Sequence, residues 1–346
     1  MATRRNGARF AGPTAKIGAA ALLLIAALVA VACGGDSEGS SDSGTIDLVA
    51  YSTPQTLYED EIEPAYQKTS DGASVDFSNS FGSSGDQSRS VASGLPADIV
   101  HLSLEPDMTN LVEAGIVAED WQEQDDYNGI VQNSIVVFVV RGGNPDNIQD
   151  WDDLVTGEVE IITPNPFTSG GARWNIMAAY GAQIAQGASE EEALDYVQQL
   201  LENTPVQDKS ASEALATFTG GKGDVLLAYE NEAIRAIDAG EDVEYIVPDD
   251  TLLIETPIAV TEDAGEAAQP FVDFLYSEEG QQLYADSGYR PVDEKVLEEN
   301  RDKFPDPPGL FTIEEFGGWE TVATEFFDPA NGSIAEIERN LGVATE

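Results

Sequence analysis

The chain has 346 residues, of which 64 are acidic and 16 are basic, so its formal net charge at pH 7 is −48. This length suits two lobes better than one small domain. Nucleic acid is excluded as a partner, because so acidic a chain has no basic surface to displace counterions. One cysteine and one histidine exclude a disulfide framework, a zinc cluster and a Cys–His nucleophile pair. A Ser-His-Asp site would depend on His101 alone.

Residues 1–32 have the pattern of a signal peptide. Four basic residues and no acidic ones precede an apolar run at 17–32, which is short for a membrane-spanning helix. The run ends in Ala30-Val31-Ala32-Cys33, which resembles a bacterial lipobox with Ala30 in place of the usual leucine. We therefore expect cleavage before Cys33 and lipidation of this cysteine. The alternative is a core cysteine beside an uncleaved anchor, and ordinary secretion is favoured over twin-arginine export.

Residues 33–44 predict a lipidated cysteine followed by a flexible tether. The segment after Cys33 reads GGDSEGSSDSG, a composition typical of flexible linkers. Such a segment has a root-mean-square reach of roughly 17–20 Å. The sequence thus predicts an extracytoplasmic body, anchored by lipid close to the outer face of the cell membrane.

From residue 45 onward, short apolar runs alternate with helical patterns. Strands are predicted at 46–51, 74–79, 98–104, 135–140, 158–163, 224–229, 243–247 and 254–260. Helices are predicted at 56–68, at 172–185 and after Ser189, where three glutamates follow a capping hydroxyl. This alternation predicts an α/β fold with parallel sheets.

Two Gly/Ser segments, at 80–87 and 168–174, lead into predicted helices, and a weaker one lies at 208–213. Serine and glycine at a helix start offer unpaired backbone N–H groups, a hydroxyl and the positive end of the helix dipole. Each segment alone is also compatible with a plain loop. The terminal Gly-Lys-Ser/Thr of a phosphate-binding loop is missing from both.

Several motifs occur in an order that resembles one known family. They are AYSTP, SFGSSGDQSRSVASGLPADIV, WDDLV, ITPNPFTSGGARWN, GDVLLAYENEA, ETPIAV, FLYSEEGQ and DKFP…LF…FGGW. Together they resemble the sulfate/thiosulfate-binding proteins of ABC transporters, from about residue 49 to about residue 340. The resemblance implies a type II periplasmic-binding-protein fold with two lobes that close on an anion. Lobe one would be 45–136 plus 255–346 and lobe two 137–254, with crossings at 135–140 and 254–260.

The resemblance also implies a set of anion-binding residues. Backbone N–H donors would come from Ser52, Ser84, Gly170, Gly171 and Ala211, a hydroxyl from Ser169, and an aromatic donor from Tyr229. Ser52 replaces the aspartate common in sulfate binders, and Tyr229 replaces a tryptophan. The backbone N–H donor is kept when serine replaces aspartate at position 52. At position 229, the indole N–H of tryptophan is replaced by a phenol O–H, which donates from a different distance along the side chain. The choice among sulfate, thiosulfate and a related oxyanion stays open.

Short-range donors explain how so acidic a protein can bind an anion, because distant charges are largely screened at physiological salt. Sulfate only accepts hydrogen bonds, whereas phosphate keeps a proton that needs an acceptor, and the implied set contains no carboxylate. A receptor for molybdate or phosphate remains an alternative. So does a secreted serine hydrolase using Ser84 or Ser169 with His101, although neither serine lies in a Gly-x-Ser-x-Gly elbow.

The function implied by the resemblance is that of a receptor and not an enzyme, with no metal and no cofactor. Its partners would be sulfate or thiosulfate, the permease and ATPase subunits of an ABC importer, and the membrane through its lipid anchor. We expect the protein to be a monomer.

Overall fold

A computed structural model describes residues 44–345 of the chain. The predicted signal peptide, Cys33 and nearly all of the tether lie outside the described residues. Within 44–345, no helix is both long enough and apolar enough to cross a membrane.

The described residues form a mixed sheet whose principal order is β2-β1-β3-β8-β4-β6-β5. Strands β7 and β9 pair with β4, and β10 pairs with β8. The strands are β1 (Thr45–Tyr51), β2 (Asp76–Gly82), β3 (Ile99–His101), β4 (Ile130–Arg141), β5 (Ile161–Ile162), β6 (Val225–Tyr229), β7 (Val243–Ile246), β8 (Asp250–Val260), β9 (Arg290–Pro291) and β10 (Gly309–Phe311).

Helices connect and cover these strands, as the predicted α/β alternation requires. They are α1 (Gln55–Leu57), α2 (Glu63–Tyr66), α3 (Ser84–Ala92), α4 (Glu105–Glu113), α5 (Trp151–Val155), α6 (Gly170–Ala185), α7 (Glu190–Glu202), α8 (Ala211–Thr219), α9 (Glu230–Asp238), α10 (Ala268–Tyr276), α11 (Glu278–Asp286), α12 (Glu294–Glu299), α13 (Gly318–Glu325) and α14 (Ser333–Leu341). A π-helical turn at Tyr58–Ile62 joins α1 to α2.

The prediction of parallel sheets is wrong for the two longest strands. Strand β4 runs antiparallel to β6, β7 and β8, and β8 runs antiparallel to β3. Strand β4 pairs with β9 near its start and with β6 and β7 near its end, whereas β8 pairs with β10 at its start and with β3 at its end. Each predicted lobe therefore combines one antiparallel strand with parallel pairs, which are β1 with β2 and β3, and β5 with β6.

The C-terminal segment 309–345 packs against the residues predicted to form lobe two. Strand β10 pairs with the start of β8, and Trp319 meets the ring of Trp174 edge to face at a centroid distance of 4.6 Å. Phe326 and Phe327 join the same buried cluster. The predicted division into 45–136 plus 255–346 and 137–254 stays a prediction. By their packing, residues 309–345 group with 137–254, the residues of predicted lobe two.

One buried ion pair joins the two predicted lobes beside the crossing strands. Arg290 donates to both carboxylate oxygens of Glu230, at 2.6 and 3.1 Å, and also to the carbonyl oxygen of Pro305. Glu230 is fully buried and Arg290 is 4% exposed. This geometry is bidentate and charge-assisted, the strong form of such a contact.

Candidate functional site

The start of helix α6 lies at the centre of the candidate site. No side chain caps this helix, so the N–H groups of Gly170 and Gly171 have no capping partner among residues 44–345. The first N–H groups of a helix also have no partner within it and carry the positive end of its dipole. Ser169 precedes the helix, is 4% exposed and directs its hydroxyl to no hydrogen-bond partner in the described part of the chain. This end of α6 can therefore receive an anion.

Three of the seven residues implied by the resemblance surround a fourth, Gly171. A Cβ atom placed on Gly171 would lie 3.4 Å from the Cβ of Ala211, 3.4 Å from Cε1 of Tyr229 and 3.5 Å from Oγ of Ser169. Ala211 is the first residue of α8, whose cap Ser210 accepts a hydrogen bond from the N–H of Glu213. The start of α8 thus faces the same point as the start of α6.

Ser103 approaches this point from lobe one. A Cβ on Gly170 would overlap the Oγ of Ser103, so glycine is required for this close approach. The same Oγ lies 2.7 Å from the hydroxyl oxygen of Tyr229, which is fully buried at the end of β6. The indole N–H of Trp174 donates to the carbonyl oxygen of Ser103 at 2.9 Å. Burial raises the pKa of Tyr229 well above its usual value, so this phenol keeps its proton.

Ser84, at the start of α3, is hydrogen-bonded to the loop that carries Ser103. Its hydroxyl donates to the carboxylate of Asp107 at 2.6 Å and accepts from the N–H of Ser103 at 2.9 Å. Its own N–H belongs to the start of α3, which no side chain among residues 44–345 caps. The next residue, Gly85, donates to the carbonyl oxygen of Thr168 at 3.3 Å and so links the two Gly/Ser segments.

Ser52 follows β1 and lines a cavity of about 380 Å³. Ser212 of α8 and Glu232 of α9 line the same cavity. Arg235 donates to the carbonyl oxygen of Thr53 at 2.8 Å, which connects α9 to the loop that carries Ser52. Burial raises the pKa of Glu232 to about 7.

His101 has both ring nitrogens engaged away from the candidate serines. Nδ1 lies 2.9 Å from the hydroxyl of Tyr58, and Nε2 lies 3.2 Å from Oγ1 of Thr256. Burial lowers the pKa of His101 to about 3, which keeps the imidazole neutral. Neither Ser84 nor Ser169 is hydrogen-bonded to it, so the hydrolase alternative lacks its general base in this arrangement.

Ser103 and Arg235 were missed as site residues by the sequence reasoning. The predicted strand 98–104 ends earlier, at His101, and Ser103 therefore lies in the loop at the carboxyl end of β3. Ligands of open α/β sheets bind outside the carboxyl ends of the strands, so this position was a usable signal. Arg235 carried no such signal, because its contact with Thr53 joins residues far apart in the sequence.

The comparison that decides the family covers most of this structure. A model described as "Bacterial extracellular solute-binding protein" matches residues 46–290, which is more than half of the chain. The chain belongs to this family. The matched range contains the whole candidate site of this solute-binding protein, from Ser52 to Arg235.

Individual relatives are similar over nearly their whole length. The "Sulfate-binding protein" of Synechococcus elongatus is 40% identical, over 89% of this chain and 92% of its own. The "Thiosulfate-binding protein" of Pseudomonas aeruginosa is 34% identical, over 81% of this chain and 88% of its own. The solved structure of "The sulfate-binding protein SubI from Mycobacterium tuberculosis" has a TM-score of 0.80 and 43% identity, covering 82% of this chain and 100% of that one.

Proposed function

We propose that this solute-binding protein binds sulfate or thiosulfate in the cleft between its lobes and delivers it to an ABC importer. Relatives named for each of these anions are similar over most of the chain. The observation that carries the proposal is the uncapped start of α6, where the Ser169 hydroxyl and the Gly170 and Gly171 N–H groups face Ala211 and Tyr229. Backbone donors from Ser52 and Ser84 complete the proposed set.

The donors of this set are neutral and fixed in direction, which suits a fully deprotonated anion. Hydrogen bonds to a charged group contribute about 1.5–3 kcal/mol each, more than those between neutral groups. Sulfate and thiosulfate only accept hydrogen bonds. Hydrogen phosphate brings a proton, and no carboxylate belongs to the proposed set to accept it. We therefore propose that the protein prefers sulfate-like anions to phosphate, and that molybdate competes better than phosphate does.

Calorimetric titration of the purified protein against sulfate, thiosulfate, molybdate and phosphate tests this proposal. We expect saturable binding of one sulfate or thiosulfate per chain and much weaker binding of phosphate. Preference for phosphate, or no binding of any of the four, would contradict the proposed function. Turnover of generic ester substrates in the same preparation would support the hydrolase alternative instead of a receptor. Sedimentation with and without sulfate tests the proposed monomer.

We further propose that Cys33 is lipidated and that the tether holds the receptor at the outer face of the cell membrane. Cys33 is the single cysteine and directly follows the apolar run. Cys33→Ala should move the protein from the membrane fraction to the soluble extracytoplasmic fraction. Ala30→Leu, which restores the usual lipobox leucine, is the matched control and should leave the protein in the membrane fraction. An unchanged distribution of Cys33→Ala would refute the anchor.

A further inference from the structure

Ser103 occupies a fixed position in the cleft without being one of the proposed anion donors. Its N–H donates to Oγ of Ser84 at 2.9 Å, and its carbonyl oxygen accepts from the indole of Trp174 at 2.9 Å. The residue is 1% exposed. Its main chain is thus held from both lobes, and its hydroxyl lies against the backbone of Gly170 at the start of α6.

The hydroxyl groups of Ser103 and Tyr229 form an isolated pair. Their oxygens are 2.7 Å apart, and neither has another hydrogen-bond partner among residues 44–345. Each hydroxyl has one proton to donate. One of the two protons lies between the oxygens, and the other is left without an acceptor in the protein. Such a proton, buried beside an uncapped helix start, can be satisfied by an anion bound there.

Elementary acidity indicates which proton is left over. A phenol, with a pKa near 10, is a much stronger acid and a better donor than an aliphatic alcohol. This acidity favours Tyr229 as the donor to Ser103, which leaves the serine proton free. A hydroxyl that accepts one hydrogen bond donates a stronger one, because a chain of hydrogen bonds polarises its members.

We propose that Ser103 is an additional anion-binding residue, whose hydroxyl donates directly to the bound sulfate or thiosulfate while accepting from Tyr229. This inference rests on the proposed function of the same cleft. It changes the role of Tyr229 from a direct donor to a positioning residue that orients the Ser103 hydroxyl. Predicted lobe one would then contribute a side-chain donor to the anion, the Ser103 hydroxyl.

The experiment is a set of sulfate titrations on wild type, Ser103→Ala, Tyr229→Phe and the double variant. Ser103→Ala should weaken sulfate binding roughly 10- to 150-fold, as expected for a hydrogen bond to a charged group. Tyr229→Phe should weaken it several-fold less, since the serine proton remains. The double variant should bind no more weakly than Ser103→Ala alone, because Tyr229 acts through Ser103.

Other outcomes overturn the inference. A larger loss for Tyr229→Phe than for Ser103→Ala would make the tyrosine the direct donor. Losses that multiply in the double variant would mean that the two hydroxyls act independently. Unchanged sulfate affinity of Ser103→Ala would remove Ser103 from the site. If the wild type itself binds neither sulfate nor thiosulfate, it is the proposed function that has failed.

Two further variants separate binding from folding. Ser88→Ala is the matched control, because Ser88 is also fully buried and donates to the carbonyl oxygen of Asp107 at 2.7 Å. It should keep the sulfate affinity of wild type. Ser103→Cys retains the side-chain volume with a weak donor, and it should lose affinity even if Ser103→Ala unfolds. A cysteine variant that is folded and binds sulfate like wild type would contradict the inference.

Discussion

Ser169 and Ser189 both precede helices but use their hydroxyls differently. The hydroxyl of Ser189 accepts from the N–H of Glu192 at 3.3 Å and completes a capping box, whereas that of Ser169 caps nothing in the described chain. Ser169→Ala should therefore weaken sulfate binding roughly 10- to 150-fold and leave the free energy of unfolding nearly unchanged. Titration calorimetry and urea unfolding measure the two quantities.

Ser189→Ala is the control for this prediction, with the opposite result expected. Loss of an N-cap costs about 0.5–2 kcal/mol of stability, and this helix start lies outside the proposed site. Sulfate affinity should stay at the wild-type value. If Ser169→Ala lowers stability as much as Ser189→Ala does while its affinity is unchanged, Ser169 is a structural residue only.

These two serines also show how far residue roles could be predicted. The capping box at Ser189 is local, since Ser and Glu three positions apart decide it, and the prediction of this helix start is confirmed. The pairing of Ser103 with Tyr229 joins residues 126 positions apart. A local sequence pattern cannot predict a contact between residues so far apart, so this pair is found only in the folded structure.

At the scale of elements, Asn165 connects the loops that precede α6 and α8. Its N–H donates to the carbonyl oxygen of Asp208 at 2.8 Å, and its carbonyl oxygen accepts from the N–H of Ser169 at 2.9 Å. Its side-chain oxygen accepts from the N–H of Phe167 at 2.7 Å, and its side-chain amide donates to Ala344. This one residue thus sets the relative position of two helix starts that belong to the proposed site.

Asn165→Ala keeps the backbone bonds to Asp208 and Ser169 and removes the side-chain bonds to Phe167 and Ala344, which hold the loop before α6. Loosening of this loop should weaken sulfate binding although the residue donates nothing to the anion. A neutral hydrogen bond is worth about 0.5–1.5 kcal/mol, so the loss in affinity should not exceed roughly 2- to 12-fold for each of the two side-chain bonds. Asn203→Ala is the matched control, because the Asn203 amide donates to the carbonyl oxygen of Leu154, away from both loops. Equal sulfate affinities of the two variants would contradict a positioning role for Asn165.

The extent of β4 shows why some elements were only partly predicted. The apolar run at 135–140 was recognised, but the strand begins earlier, at Ile130. The first half of the strand contains the polar residues Gln132 and Ser134, which interrupt the apolar pattern although both are fully buried. The Gln132 amide donates to the Tyr51 hydroxyl at 2.6 Å, and the Ser134 hydroxyl donates to Asn231. Apolar patterning cannot detect a buried strand whose side chains satisfy one another, nor can it give strand direction.

At the scale of the whole molecule, three buried groups predict an unusual pH dependence of stability. Burial raises the pKa of Glu232 and that of Glu338 to about 7, and lowers that of His101 to about 3. Between about pH 4.5 and 6.5, the folded protein holds protons on the two glutamates, whereas the unfolded chain holds one on the histidine. The folded state thus binds more protons, so stability should rise as the pH falls from 7 towards 5.

Urea unfolding at several pH values checks this expectation. Stability should be greater near pH 5 than near pH 7, and relief of the repulsion within a chain of net charge −48 acts in the same direction. Glu338→Gln should reduce this gain, because the Glu338 carboxylate accepts from Gln207 and lies in the core. A steady loss of stability from pH 7 to pH 5 would contradict the assignment of these groups.

The buried pair of Glu230 and Arg290 has a consequence for how the cleft opens. Breaking a buried pair by removing one partner costs about 3–5 kcal/mol, whereas the cleft contacts of Tyr229 with Ser103 and of Gly85 with Thr168 are single hydrogen bonds between neutral groups. We therefore expect release of the anion to break these cleft contacts, together with the bond from Arg235 to the carbonyl oxygen of Thr53, and to leave the ion pair intact. An intact ion pair would place the axis of rotation between the predicted lobes close to Arg290.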